Sequence, residues 1–254
     1  MTLANRIRAK LRRHVPESLR RLVAQARRRA RDAQARTKFE FATKQIEPRE
    51  LADFICAVEI VQPIRQTAHY EGKMHNIGLA VGRLNRSCVP VGQALSFWQI
   101  IGAPTAKHGY QLGRGIVRGK LGSDIGGGLC QIASLLYELG LRAGATVLER
   151  HAHSRDLYTE DNRFTPLGLD AAIVWGFKDV RLANPYAHRV AFAFDVNGST
   201  LRGRLFSERP IPTFELEISR RDELGAIRIA EVSARDRNGK MSPVSRDSYV
   251  IDPT

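Results

Sequence analysis

The sequence predicts an α+β fold: a central mixed α/β domain in which a glycine-rich turn runs into a helix-start cysteine, a C-terminal antiparallel β-meander, and a basic N-terminal helical extension. Three observations carry this. Gly126, Gly127 and Gly128 suit neither a helix nor a strand interior, yet apolar residues follow at 132, 135, 136, 139 and 143 with a helical period. Residues 189–196 and 200–206 are alternating apolar runs on either side of Asn197-Gly198, a strong hairpin signal. Residues 1–45 hold 14 Lys or Arg against three acids, so +11 of the net charge of +14 sits in the first fifth of the chain.

In chain order, Leu3, Ile7, Leu11 and Val15 recur every four residues, Pro16 interrupts, and Leu19, Leu22, Val23, Ala26 and Ala30 resume the stripe among arginines. A basic amphipathic helix has three uses: packing on the domain, lying on an anionic membrane surface, or touching nucleic acid. Phe39 and Phe41 are its only aromatics and stand at its end, so the stacking platforms of single-strand binders are missing and nucleic acid is the least suited partner. Ile46 to Arg49, with Pro48, forms a linker into a core domain spanning 46–180. Leu51–Ile60 is ambiguous between helix and buried strand, and Lys73–Leu84 has helical spacing. From Val89 to Lys120, glycines and short apolar runs suggest loops and short strands that deliver residues to a site, among them His108 and Tyr110. A β-rich part, 181–254, packs on the core. Length and a hydrophobic content of 43% allow a substantial core and exclude a disordered chain.

The helix predicted over 130–143 begins at Cys130. A thiol at a helix start sits among unpaired first-turn N–H groups at the positive end of the helix dipole, which favours thiolate. Gly144 suits a C-cap, and Thr146 to His153 reads as a returning strand. Fourteen helical residues climb about 21 Å, and seven strand steps descend about 23 Å. His151 and His153 therefore return to the level of Cys130, on one strand face. Asp170, ahead of a strand expected over Ala171–Trp175, or Asp156 could orient the imidazole as the third member of a triad. Gly126, Gly127, Gly128, Gln131 and Tyr110 are the candidate substrate-binding residues, with Gln131 or first-turn N–H groups available to an oxyanion. Cys56 reads as a core residue and Cys88 as a loop residue.

The pieces Asn76-Ile77-Gly78-Leu79-Ala80, Leu95-Ser96-Phe97-Trp98, Gly109-Tyr110, Gly126-Gly127-Gly128-Leu129-Cys130-Gln131, Leu136-Tyr137 and Glu149-Arg150-His151-Ala152-His153-Ser154 resemble the VanW family over about residues 73–170. Where members carry Pro-Gly-Glu ahead of Phe-Ser-Phe, this chain has Val91-Gly92-Gln93 ahead of Leu95-Ser96-Phe97, so no carboxylate stands at 93. The resemblance implies a link to the cell envelope and to vancomycin resistance, and hands over no reaction.

Three readings of function follow. Cys130 with His153 or His151 and Asp170 suits a thiol enzyme acting on a peptide or cell-wall-precursor amide. The same residues suit a non-catalytic ligand-binding or regulatory module, in which the glycines permit close approach. Cys130 with both histidines has zinc-ligand chemistry, although the spacing matches no standard zinc pattern and no metal is expected. There is no Walker loop, HExxH, GxSxG or dinucleotide fingerprint, so no cofactor is implied. Three widely spaced cysteines and the absence of an apolar leader or ~20-residue apolar span point to a reducing, cytoplasmic location, with peripheral attachment at the inner membrane surface.

Overall fold

A computed structural model describes residues 23, 25–28, 30, 32–34, 40–117, 120–159, 163–223 and 226–251. The described residues have the α+β class expected, in three four-stranded sheets, a hairpin and two long helices, Tyr70–Leu84 and Leu129–Arg142. In chain order the elements are β1 (Glu40–Phe41), α1 (Pro48–Ala52), β2 (Ile55–Pro63), α2 (Tyr70–Leu84), β3 (Ser87–Val89), β4 (Gln93–Ser96), α3 (Phe97–Ile101), β5 (Leu112–Val117), β6 (Lys120–Ile125), α4 (Leu129–Arg142), β7 (Thr146–Glu149), β8 (Arg155–Asp156) and β9 (Arg181–Ala183). Then come β10 (Val190–Asn197), β11 (Thr200–Ser207), β12 (Glu215–Glu223), β13 (Ile227–Arg235) and β14 (Met241–Ile251).

Helix α4 is the centre of the core. Its residues from Gln131 to Leu141 are all buried, so it is apolar nearly all round, as a helix enclosed on several sides must be. Ile132, Leu135, Leu136 and Leu139 are fully buried, each worth roughly 1.5–3 kcal/mol in the gross hydrophobic term. The Asn197-Gly198 hairpin, β10–β11, does not stand apart from the earlier domain: it is inserted between β2 and β3, giving the sheet order β2-β11-β10-β3. Gly203 of β11 admits Leu135 and Leu139 of α4, since a Cβ there would lie 2.8–2.9 Å from their side chains. A second sheet, β1-β4-β9-β7, meets α4 where Gly140 abuts Leu182. The third, β12-β13-β14-β8, is the β-rich tail and takes in the short strand Arg155–Asp156 from the core.

Several local expectations change. Leu51–Ile60 divides: Pro48 opens a one-turn helix, and the strand begins only at Ile55. Ile46, expected in a linker, is buried with Phe54, Cys88 and Ala191. Cys56, expected in the core, is exposed, and Cys88 is buried in β3 rather than in a loop. Within 89–120, Phe97–Ile101 is a helix capped by Ser96, whose hydroxyl accepts from the Gln99 N–H at 3.3 Å. The strand expected over 171–175 does not form; Val174 makes only an isolated bridge to Lys178. Its backbone is spent elsewhere: the Ala171 N–H donates to Ser134 Oγ at 2.9 Å and the Ala172 N–H to the His151 carbonyl at 2.7 Å.

The described residues between 23 and 34 are helical, and charge ties them to the core. Arg181 clasps the Asp32 carboxylate through both terminal nitrogens, at 2.7 and 2.9 Å, while Arg28 reaches Glu149 at 2.6 Å and Asp179 at 3.2 Å. This part of the basic extension packs on the domain. Residues 1–22, which carry most of the charge behind the membrane expectation, lie outside the described residues. Among the described residues no helix is long and apolar enough to cross a membrane.

Candidate active site

The site is built on the turn that enters α4. Gly126 and Gly128 have φ of +83° and +103°, conformations that side chains resist. Gly127 lies against the backbone of Gly113 in β5, where a Cβ would fall 2.1 Å from the Gly113 carbonyl oxygen. Asn76 of α2 holds the two loops together: its Nδ2 donates to the carbonyls of Gln111 (2.9 Å) and Gly127 (3.0 Å), and its Oδ1 accepts from the Gln111 N–H (2.8 Å). The turn is a rigid pedestal for Cys130.

From there three residues form a row. The His153 side chain and the Ile173 backbone N–H both act on the Cys130 sulfur and favour its charged form. On the far side of the imidazole, Nδ1 donates to Asp170 Oδ2 at 2.6 Å, which leaves Nε2 for the thiol. Asp170 is itself fixed from every side: Oδ2 accepts the His153 N–H (2.8 Å), and Oδ1 accepts from the Tyr249 hydroxyl (2.5 Å), Arg150 Nη2 (3.2 Å) and the Gly168 N–H (3.3 Å). Arg150 also pairs with Asp247 and stacks over the Tyr137 ring. The carboxylate that aligns the histidine is thus held from the third sheet, through Tyr249 and Asp247 of β14.

Electrostatics follow from this geometry. Burial pushes the Cys130 thiol up, but the hydrogen bond and charge of His153, with the Ile173 N–H, outweigh it and the net direction is down. Burial alone would lower His153; the bonds to Asp170 and Cys130 instead raise it to about 10. Burial opposes ionisation of Asp170, and the His153 and Arg150 contacts override it, taking the carboxyl down to about 2. These directions favour a thiolate–imidazolium pair beside a carboxylate.

The sulfur opens into a cavity of about 850 Å³. Trp98 and Trp175, edge to face at 5.5 Å, form one wall. Trp98 is set there by its indole N–H donating to the Lys178 carbonyl (2.7 Å) and its backbone N–H donating to Asp179 Oδ1 (3.1 Å). Lys73, Arg114, Tyr158, Phe164 and Leu167 contribute elsewhere.

Of the residues expected in the site, Cys130, His153 and Asp170 come together, and Gly126, Gly127, Gly128 and Gln131 line the cavity. His151 does not join them. Strand β7 stops at Glu149, so the period of two is lost before either histidine, and His151 turns away to Glu149 Oε1 at 3.1 Å. Tyr110 is not at the cavity either: it is buried, and its hydroxyl accepts from Arg83 Nη1 at 3.3 Å. Gln131 has its Nε2 donated to the Pro63 carbonyl at 3.0 Å, which occupies the amide once suited to an oxyanion. Asp156 lines the cavity but is paired with Arg163 and Arg228 rather than with a histidine. His108 turns its Nδ1 to the Ala103 carbonyl (2.8 Å). Among the described residues no group of three or more His, Cys, Asp or Glu is arranged to hold a metal, and His151, needed for the zinc set, is not on the sulfur.

Sequence reasoning did not find Tyr249, Arg150, Lys73 or Trp98. Arg150 had a signal, an arginine inside the Glu-Arg-His-Ala-His run, but Tyr249 lies 79 residues from the carboxylate it bonds.

The fold and site define an α+β protein with a half-buried Cys-His-Asp row at the start of its central helix. The family model described as "VanW like protein" matches residues 72–206, and the chain belongs to the VanW family. It is 27% identical over 178 residues to the uncharacterized protein YoaR of Bacillus subtilis (68% of this chain, 57% of the relative). It is also 27% identical over 141 residues to the vancomycin B-type resistance protein VanW of Enterococcus faecalis (56% of this chain, 51% of the relative). The chain thus spans a little over half the length of these curated relatives. No solved structure matches.

Proposed function

We propose that this protein is a cysteine-nucleophile enzyme of the amidase or acyl-transferase type, acting on a peptide or cell-wall-precursor amide. The observation that carries the reading is the Cys130–His153–Asp170 row opening into an 850 Å³ cavity. The printed name of the Enterococcus relative, a vancomycin-resistance protein, supports the choice of a wall-precursor ligand.

In the proposed reaction the Cys130 thiolate attacks the substrate carbonyl carbon, forming the S–C bond. The His153 imidazolium then gives its Nε2 proton to the leaving amine as the C–N bond breaks. Neutral His153 next takes a proton from water or an acceptor amine as that nucleophile displaces the sulfur, so hydrolysis and transfer differ only in the second acceptor. Asp170 keeps the imidazole oriented and stabilises its charged form. The N–H groups of Leu129 and Gln131 are bonded to the carbonyls of Gly126 (3.4 Å) and Gly128 (3.1 Å), which makes the Cys130 N–H the first-turn donor available to an oxyanion.

Iodoacetamide labelling of Cys130 across pH 5–10, followed by peptide mass spectrometry, tests this. Wild type should label well below the free-thiol pKa of about 8.5, while His153→Ala should climb roughly ten-fold per pH unit up to a midpoint above it. Labelling only on unfolding would sink the nucleophile and leave a binding module.

A further inference from the structure

The row accounts for the carboxylate of Asp170, but several cationic residues of the same cavity stand outside it, among them Lys73 and Arg114. Lys73 of α2 is 8% exposed, its aliphatic stem lies on Gly128, two residues before the nucleophile, and it lines the cavity. A Cβ added to Gly128 would lie 2.7 Å from Lys73 Cγ, which fixes how closely the two pack. Arg114 of β5 lines the same cavity, with its guanidinium over the Tyr158 ring at 5.7 Å. Among the described residues neither Lys73 nor Arg114 forms an ion pair. Instead they act on each other: burial and the Arg114 charge lower the Lys73 ammonium to about 8, leaving it mostly charged at neutral pH. Of the acids lining the cavity, Asp156 is paired with Arg163 and Arg228, Asp170 with His153 and Arg150, and Asp124 accepts the Ile125 N–H at 2.8 Å.

A mostly buried lysine whose charge is opposed by an arginine, with no ion-pair partner among the described residues, is costly unless something anionic arrives. We infer that the substrate carries a carboxylate near its scissile acyl group, and that Lys73 and Arg114 are the residues that hold it. This rests on Cys130 acting at an acyl carbon. It narrows the substrate to amides with an acidic group or a free C-terminus beside the reacting bond. We choose a carboxylate over a phosphoryl dianion because apolar wall residues, Trp98, Trp175 and Leu167, share the cavity with the pair.

Two alkylating reagents of nearly equal shape provide the test on the full-length protein. Iodoacetate carries a carboxylate and iodoacetamide a neutral amide; each transfers its carbon to the Cys130 sulfur with loss of iodide. In wild type the iodoacetate-to-iodoacetamide rate ratio at Cys130 should exceed that of Lys73→Met and of Arg114→Gln by about ten-fold, the size of one charge-assisted contact. The ratio is read rather than either rate, because a change in fold or in thiolate fraction moves both reagents together and cancels. A ratio unmoved by both substitutions overturns the carboxylate subsite while leaving the thiol reading in place. A Cys130 inert to both reagents overturns the thiol reading, and the subsite with it. Stronger protection of Cys130 by inorganic phosphate than by acetate at equal concentration overturns the choice of carboxylate.

Discussion

Replacing Asp170 by Asn gives the sharpest test of how the site is held. Oδ2 accepts two hydrogen bonds from His153 and Oδ1 three more, from Tyr249, Arg150 and Gly168. An amide keeps the shape, but its NH2 faces donors on whichever side it is placed, and the charge opposing Arg150 and His153 is gone. Removing one member of a buried charge pair costs about 3–5 kcal/mol. For a chain of this size that corresponds to a fall in Tm of roughly 10 °C. The pH dependence has a defined sign. Asp170 is depressed to about 2, so its contribution is present above the unfolded carboxylate value of about 3.9 and is lost as pH falls through about 2. His153 is raised to about 10, so its contribution is complete below about 6.5 and is lost as pH rises through about 10. The stability gap between wild type and Asp170→Asn should therefore be widest between about pH 4 and 6.5 and close on both sides. Urea denaturation at pH 3, 5.5, 7.5 and 10, with iodoacetamide labelling of Cys130 on the same samples, measures it. A gap below about 1 kcal/mol at pH 5.5, or one that does not vary with pH, would refute the charged row.

Tyr249→Phe should cost about 1–3 kcal/mol, the hydrogen bond to a charged acceptor, while leaving Cys130 reactive at neutral pH; urea denaturation and labelling check both parts. Gly127→Ala drives a Cβ into the Gly113 backbone, which has no flexible side chain to yield, and should abolish either soluble expression or native Cys130 reactivity. Tyr110→Phe removes only the contact with Arg83 and should leave labelling kinetics within about two-fold of wild type, whereas a substrate-binding tyrosine would show a larger loss. Asp32→Ala removes the carboxylate clasped by both terminal nitrogens of Arg181, which keeps only Asp179 and Glu149, and should hasten proteolysis within the N-terminal helical segment without slowing the alkylation of Cys130.

The row places an aligning carboxylate where two parts of the fold meet. His153 and Asp170 come from loops after β7 and before β9, whereas Tyr249 and Asp247 come from β14, beyond both sheets that enclose α4. The β-rich tail, which lacks a catalytic cluster in sequence, thus supplies the hydroxyl and the carboxylate that fix Asp170 and Arg150.

By itself the sequence determined the α+β class, the glycine turn, the helix placed at 130–143 and found at Leu129–Arg142, the Asn197-Gly198 hairpin and the family, because each is written in local spacing: a period of 3.6, a period of two, or a glycine where φ is positive. It also determined that a cysteine at a helix start and a histidine on the returning segment could meet, since rise per residue fixes that height. Only the tertiary structure decided which histidine. Strand β7 ends at Glu149, and beyond it each backbone group follows its own hydrogen bond, so a face assignment by alternation fails at His151. Tyr110 was likewise misplaced by its neighbourhood of glycines, where half-buried Arg83 decides its contact. Tyr249 and Lys73 were invisible for a related reason. The first is brought to Asp170 across 79 residues by sheet pairing, and the second is made part of the cavity by packing on a glycine of another element. Long-range burial sets both contacts, and burial is a property of the folded whole.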